Sequence, residues 1–317
     1  MPNRPGRAFE RRDCIIATKG REAVPLVAEE ASSYRKASFY FAAHPDDWQL
    51  FMNPFAFLDV ADTATKVVFV HMTSGDAGLG TGTGGRKHPL YLAREHGAEL
   101  AIRFMADANG APKDKIESVI AVNGHSIRRI GYKNTVNYVL RLPDGNPAGS
   151  GYPETGNQSL QRLANGDIDT CTAIDGSAAH HGWADLVATL CAIVDVEGAR
   201  CAAIDLHIPE PDPVINPGDH ADHLATARAA LDAAGWRTSA RWHYHLGYSS
   251  AALAENLTPQ QRDMKCAVFA VTVAGVLALD HGATWRQYDQ AYAGRSGVRI
   301  EEGAQPAAQQ RVGSKVR

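Results

Sequence analysis

Two uninterrupted apolar runs constrain this chain more than any other feature. They are Ser38-Phe39-Tyr40-Phe41-Ala42 and Val67-Val68-Phe69-Val70-His71. A strand with one wet face alternates apolar and polar residues. A strand that does not alternate has both faces covered, the condition of a parallel sheet packed between helices. Ala202-Ala203-Ile204-Asp205-Leu206-His207 reads as a third such strand.

Helical stretches separate these runs: Trp48 to about Val60, Pro89 to Asp107, Trp183 to Val194, Leu224 to Ala233 and Arg262 to Leu279. Trp242 to Tyr244 reads as a further strand. This rhythm predicts an α/β chain with a Rossmann-like, mostly parallel sheet and helices on both faces. Residues 1–36 read as a polar N-terminal arm, 37–296 as one domain, and 297–317 as a disordered polar tail. Within the domain, residues 124–180 are rich in Gly, Asn, Pro and Asp, carry short strand-like pieces such as Val136-Asn137-Tyr138-Val139-Leu140, and read as a loop-rich elaboration on the sheet.

Composition narrows the function classes. At 44% hydrophobic residues the chain has material for a large core, and a net charge of −3 provides no electrostatic footprint for nucleic acid. The longest apolar run, Ala267 to Leu279, falls short of the roughly 18–20 residues that span a bilayer. The basic start MPNRPGRAFERRD has no apolar stretch of signal-peptide length behind it, so no membrane contact and a cytoplasmic location are expected. Five scattered cysteines (14, 171, 191, 201, 266) contain no CxxC pair and read as buried thiols.

Two short segments carry chemistry. Ala43-His44-Pro45-Asp46-Asp47 follows the first apolar strand, and Asp219-His220-Ala221-Asp222-His223 opens a helix after the third. Ligands of open α/β sheets bind at the strands' carboxyl ends, so both segments are expected on one rim. His44 and Asp47, three apart on a turn entering a helix, can converge on a zinc ion, with His223 as third ligand. Three protein ligands leave one position for water, as a catalytic zinc requires. Asp46, beside Asp47, is placed to take a proton from that water. A lone His-x-x-Asp is more often a capped helix start. The second His/Asp cluster reverses that weighting.

Ala-His-Pro-Asp-Asp after a buried strand resembles the signature of the PIG-L/LmbE family of zinc-dependent N-deacetylases. Thr73-Ser74-Gly75-Asp76-Ala77-Gly78, Arg94-Glu95 and His220-x-Asp222-His223 follow in that family's order, and the resemblance covers roughly residues 38–295. It implies His44, Asp47 and His223 as metal ligands, Asp46 as general base and His220 as a polarising or proton-donating group. It also implies zinc, or another divalent metal such as iron, and a small N-acylated substrate resembling an amino sugar. The alternative within hydrolases is an amidase acting on a thiol-conjugate or antibiotic side chain. Arg94 is expected to meet the substrate or steady the site. The family often shows an Arg three residues before that Glu, where this chain has Leu92. Asp222 is expected to orient a histidine, and Asp76 reads equally as a loop cap or a site residue.

His71, His96, His125 and His281 read as structural, and His180-His181 as a helix cap. Tyr244, His245 and Tyr248 are candidates for lining the pocket. The glycine loop at 75–85 lacks the spacing and the acidic residue of a dinucleotide fingerprint, which disfavours a nucleotide-dependent oxidoreductase.

Overall fold

The computed structural model describes residues 34–282, 285 and 287–303. The strands are β1 (Lys36–Ala42), β2 (Thr65–Thr73), β3 (Ile116–Val122), β4 (His125–Tyr132), β5 (Thr135–Leu142), β6 (Thr170–Thr172), β7 (Ala179–His181), β8 (Ala203–Pro209), β9 (Arg241–His245) and β10 (Val298–Glu301). The helices are α1 (Asp47–Leu50), α2 (Phe55–Ala61), α3 (Leu90–Asp107), α4 (Leu160–Asn165), α5 (Trp183–Gly198), α6 (Ala221–Ala234), α7 (Pro259–Ala278) and α8 (Gln287–Ala293). Eight strands form one sheet in the order β10-β9-β8-β1-β2-β5-β4-β3, and β6 and β7 make a separate hairpin. The five strands β9, β8, β1, β2 and β5 run parallel. At the two flanks, β10, β4 and β3 pair antiparallel. The architecture is therefore the α/β, mostly parallel sheet that the apolar runs predict.

The missing alternation in β1 has a direct cause. Phe39 and Phe41 bury one face of the sheet beneath α5 and α6, with Leu186, Leu190, Ala227 and Ala230. Tyr40 and Ala42 bury the other beneath α1, α3 and α7, with Trp48, Met105 and Phe269. Where α3 crosses α7, a Cβ on Gly97 would stand 2.6 Å from the Thr272 carbonyl, so that crossing requires a residue without a side chain. Among the described residues no helix is long and apolar enough to cross a membrane.

The chain steps from β1 through β2 to β5 on one side, then returns to place β8 and β9 on the other. The order of connection thus reverses between β1 and β8, and the crevice at their carboxyl ends is where such sheets bind ligands. Residues 43–47 leave β1 there, and residues 210–223 leave β8.

Four expectations need correction. The helical stretch from Trp48 splits into α1 and α2, because Pro54 lacks the N–H that would continue a helix. The segment 124–180 is not wholly an elaboration: β4 and β5 are members of the main sheet, and β5 lies parallel beside β2. Its loop-rich character begins only after Leu142. His180-His181 does not cap a helix; both lie in β7, and Gly182 occupies the N-cap of α5. The chain past Gly297 first forms β10 against β9. The rest of that expected tail, residues 304–317, lies outside the described residues, as does the expected arm through residue 33.

One sheet face carries an unusual polar layer. His207 and His243, partners across β8 and β9, stack with ring centroids 4.1 Å apart, and His207 Nδ1 lies 3.0 Å from His245 Nε2. All three rings are buried. Burial pushes the His243 imidazole down to about 4. Burial and the neighbouring His243 push His245 to about 3, and burial with both neighbours holds His207 well below its ordinary 6.5. The unfolded chain takes up these protons near pH 6.5, whereas the folded chain refuses them until about pH 4 and below. Stability is therefore full above pH 6.5 and falls as the pH drops towards 4. Urea midpoints measured between pH 7 and pH 4 should show this decline, and His243→Gln should flatten it. An identical pH slope in that variant would remove His243 from the account.

Candidate metal centre

The geometry starts with the turn after β1. Residues 44–47 tighten so that the His44 amide donates to Asp47 Oδ2 at 2.7 Å, and α1 begins at Asp47. This hydrogen bond fixes the Asp47 carboxylate beside the His44 ring, whose Nδ1 stands 3.4 Å from the same oxygen. From the opposite wall, the first turn of α6 projects His223, with Nε2 3.3 Å from Asp47 Oδ1. His44, Asp47 and His223 are all buried, and their donor atoms cluster within 4.8 Å of one another.

The other nitrogen of each ring faces a carboxylate, hydrogen-bonded in His223 and at ion-pair distance without a hydrogen bond in His44. His223 Nδ1 is 2.9 Å from Asp219 Oδ1, and His44 Nε2 is 3.4 Å from Asp222 Oδ2. A ligand histidine is ordinarily held this way, with a carboxylate behind the nitrogen that does not face the metal. Asp219 is itself anchored by Asn216 Nδ2 at 2.7 Å and the Tyr248 amide at 3.1 Å. His223 Nε2 is buried and has no hydrogen-bond partner. Such a bare buried nitrogen costs about 1–3 kcal/mol unless something accepts its lone pair. Two imidazoles, one carboxylate and this orphaned atom fit a divalent ion of borderline softness. Burial opposes charge on His44, but Asp47, Asp222 and Asp144 hold its imidazolium well above the ordinary value. Burial likewise opposes charge on His223, and Asp47 with Asp219 raises it to about 10. The pocket is built to attract a cation.

His220 is the N-cap of α6, and its Nδ1 accepts the Asp222 amide at 3.1 Å. That bond places the proton of the neutral ring on Nε2. Burial, and then the neighbouring His44 and His223, push the imidazole down to about 3, so His220 is a neutral donor. Its ring packs edge-on to His44 with centroids 4.7 Å apart.

Asp46 pairs with Arg94 of α3. Arg94 also donates to the Gly75 carbonyl at 2.8 Å, so it meets the expected base rather than open space. Asp76 is buried and spends its oxygens on local structure, accepting from Ser74 Oγ, the Gly80 amide and the Asp144 amide. Glu95 binds Arg141 between α3 and the sheet. His245 lines a small cavity with Asp47, Phe51, Pro209 and His223, and the Tyr248 ring lies 5.4 Å from that of His223. Tyr244 instead faces the other side of the sheet, with its hydroxyl on Glu301.

Two residues of the site carried no role in the sequence reading. Asp219 lay inside the second motif. Asp144, just past β5, reaches to 3.9 Å from both His44 Nε2 and His220 Nε2. With His220 and Asp222 it forms a second group around His44. That group fits a metal less well, because His220 Nδ1 already holds the Asp222 amide and Asp222 Oδ2 the Gly145 amide. Gly145 itself is forced by contact: a Cβ there would stand 2.4 Å from Asp222 Oδ1 and 2.8 Å from Ser159 Cβ. Gly145→Ala should cost about 1–3 kcal/mol, the usual scale of overpacking, and loosen the carboxylate behind His44. Chemical denaturation checks this, and a variant as stable as wild type would show that the contact relaxes freely.

No family model matches the chain, and no curated protein matches it. Among solved structures it is similar to N,N'-diacetylchitobiose deacetylase from Pyrococcus horikoshii, complexed with its inhibitor MPG. That likeness has a TM-score of 0.44 at 14% identity, and covers 85% of this chain and 84% of that one.

Proposed function

We propose that this chain is a metal-dependent hydrolase that removes an acyl group, acetyl in the first instance, from the amide nitrogen of an amino-sugar-like substrate. The observation that carries the reading is the bare, buried Nε2 of His223. Asp219 aims it from behind, and it meets Asp47 and His44 at the switch point of the sheet. His44, Asp47 and His223 hold the ion, with zinc favoured by the mixed N/O donor set. Bound there, zinc supplies a water acidified towards a pKa of about 7 and a Lewis acid for the acyl carbonyl.

The chain's own groups do the rest. Asp46 takes the proton of the attacking water, and Arg94 fixes the orientation of its carboxylate. His220 donates from Nε2 to the carbonyl oxygen as negative charge grows on it. Asp222 and Asp219 hold the two ligand rings in register, and the amine leaves with the proton that Asp46 collected. Asp144 and Gly145 bring the loop after β5 to the edge of the site, so that loop contributes to the choice of acceptor.

The experiment is a release assay with zinc-loaded protein over a panel of N-acylated amino sugars and N-acylated cysteine conjugates. The expected result is equimolar acetate and free amine from the N-acetyl sugars. Release confined to the cysteine conjugates would overturn the substrate class while leaving the hydrolase reading in place.

A further inference from the structure

The hairpin between β3 and β4 turns at Asn123 and Gly124, both at positive φ, and delivers His125 as the first residue of β4. The hairpin β6–β7 delivers His180, and the first turn of α5 delivers Asp185. His180 and Asp185 are neighbours in sequence and His125 lies well upstream on another hairpin, yet the donor atoms of the three side chains lie within 4.8 Å of one another. His125 Nε2 is 3.0 Å from Asp185 Oδ1, and the rings of His125 and His180 have centroids 4.2 Å apart.

His180 is the anomaly. It is 0% exposed, and neither ring nitrogen has a hydrogen-bond partner. Buried polar atoms are paired in the great majority of cases, and an orphan calls for a cause. An apolar side chain would fill the same space in β7 without that cost. A bound cation gives the lone pair a use.

We propose that His125, His180 and Asp185 form a second divalent transition-metal site, of zinc-binding chemistry, separate from the centre at His44. Zinc bonds of about 2.0–2.2 Å set donor atoms about 3.3 Å apart, so small side-chain rotations close the cluster. The side chains of His125 and Asp185 are 12% and 25% exposed, which opens the site to an entering ion and to a completing water. Bound metal ties the β3–β4 turn, the β6–β7 hairpin and the start of α5 together, bracing the loop-rich segment from outside the sheet. The group Asp205, His207 and His243 also holds unpartnered buried ring nitrogens, but its carboxylate is already taken by cations of the chain. Lys36 and Arg241 already sit 3.2 and 2.6 Å from its carboxylate and repel a dication.

The test is equilibrium dialysis of the full chain against buffered micromolar free Zn²⁺, with bound zinc counted by mass spectrometry. Asp185→Asn and His125→Ala should each bind one ion fewer per chain than wild type, with far-ultraviolet circular dichroism unchanged. Zinc should raise the melting temperature of wild type by more than that of either variant, since an ion bound only to the folded state stabilises it. The two variants are independent, so misfolding of one leaves the other to decide. Zinc counts equal to wild type in a folded variant would overturn the proposal.

Discussion

Asp46→Asn should retain the zinc content of wild type and lose roughly 10²–10⁴-fold in kcat, the scale of a general base. The amide of Asn occupies the carboxylate's space at the N-cap of α1 and touches no ligand of the ion, so His44, Asp47 and His223 keep their positions. It cannot take a proton from water. KM should change little, because Asp46 acts on the water rather than the acceptor. The variant also leaves Arg94 facing a neutral partner, so part of the loss reflects a less ordered guanidinium. Arg94→Lys should separate that part, with a smaller fall in kcat than Asp46→Asn. Wild-type kcat in Asp46→Asn would move the base elsewhere, and Asp144 would be the next candidate, being buried beside His44 and His220.

The two histidines of α6 should fail in different ways. His223→Ala removes the aimed Nε2 and leaves Asp219 buried without its imidazole. It should lose most of its metal and be less stable than wild type, because bound metal contributes to folding. His220→Ala removes the proposed oxyanion donor and none of the three proposed ligands. It should keep its metal and lose about 2.7–4 kcal/mol of transition-state stabilisation, the scale for one oxyanion donor. The neutral ring sets the expected pH dependence. His220 Nδ1 is committed to the Asp222 amide, so its work is hydrogen bonding from Nε2 rather than release of a proton near pH 6.5. The alkaline limb of the pH–rate profile should therefore survive in His220→Ala. Metal content measured beside kcat separates the two roles. Equal metal loss in both variants would indicate a closed four-ligand site without room for the attacking water.

The central part of the fold was legible because β1 and β2 are apolar on both faces, and only a covered parallel sheet explains that pattern. The flanking strands were not legible. Glu117 and Ser118 interrupt the apolar pattern of β3, the edge strand, where one side stays wet, and Arg128 and Arg129 interrupt that of β4 by pairing with Glu117 and Glu197. In β5, Val136 to Leu140 reads as a strand-like piece, but the Gly, Asn, Pro and Asp around it made a central strand look like part of an elaboration. That misreading hid Asp144. A carboxylate two residues beyond a central parallel strand lands on the same rim as His44, so recognising β5 would have identified it. β10 escaped because a four-residue strand whose Arg299 and Glu301 ion-pair resembles a charged tail.

The candidate site was legible to the extent that its residues are close in sequence. His44, Asp46 and Asp47 share one turn, and His220, Asp222 and His223 share another. What joins the two turns is tertiary: the parallel strand β5 that places Asp144, and the loop from Glu210 that anchors Asp219. The histidines at 207, 243 and 245 were hidden for a different reason. In a buried strand an imidazole occupies an apolar position, and only the pairing of β8 with β9 shows that three of them touch.

Metal dependence tests the central claim most directly. Protein stripped with a chelator, dialysed free of it and shown by circular dichroism to remain folded should release no acetate from the preferred N-acetylated substrate. Added zinc should restore the activity, in proportion to occupancy of the centre formed by His44, Asp47 and His223. Full activity in the metal-free protein would contradict the account.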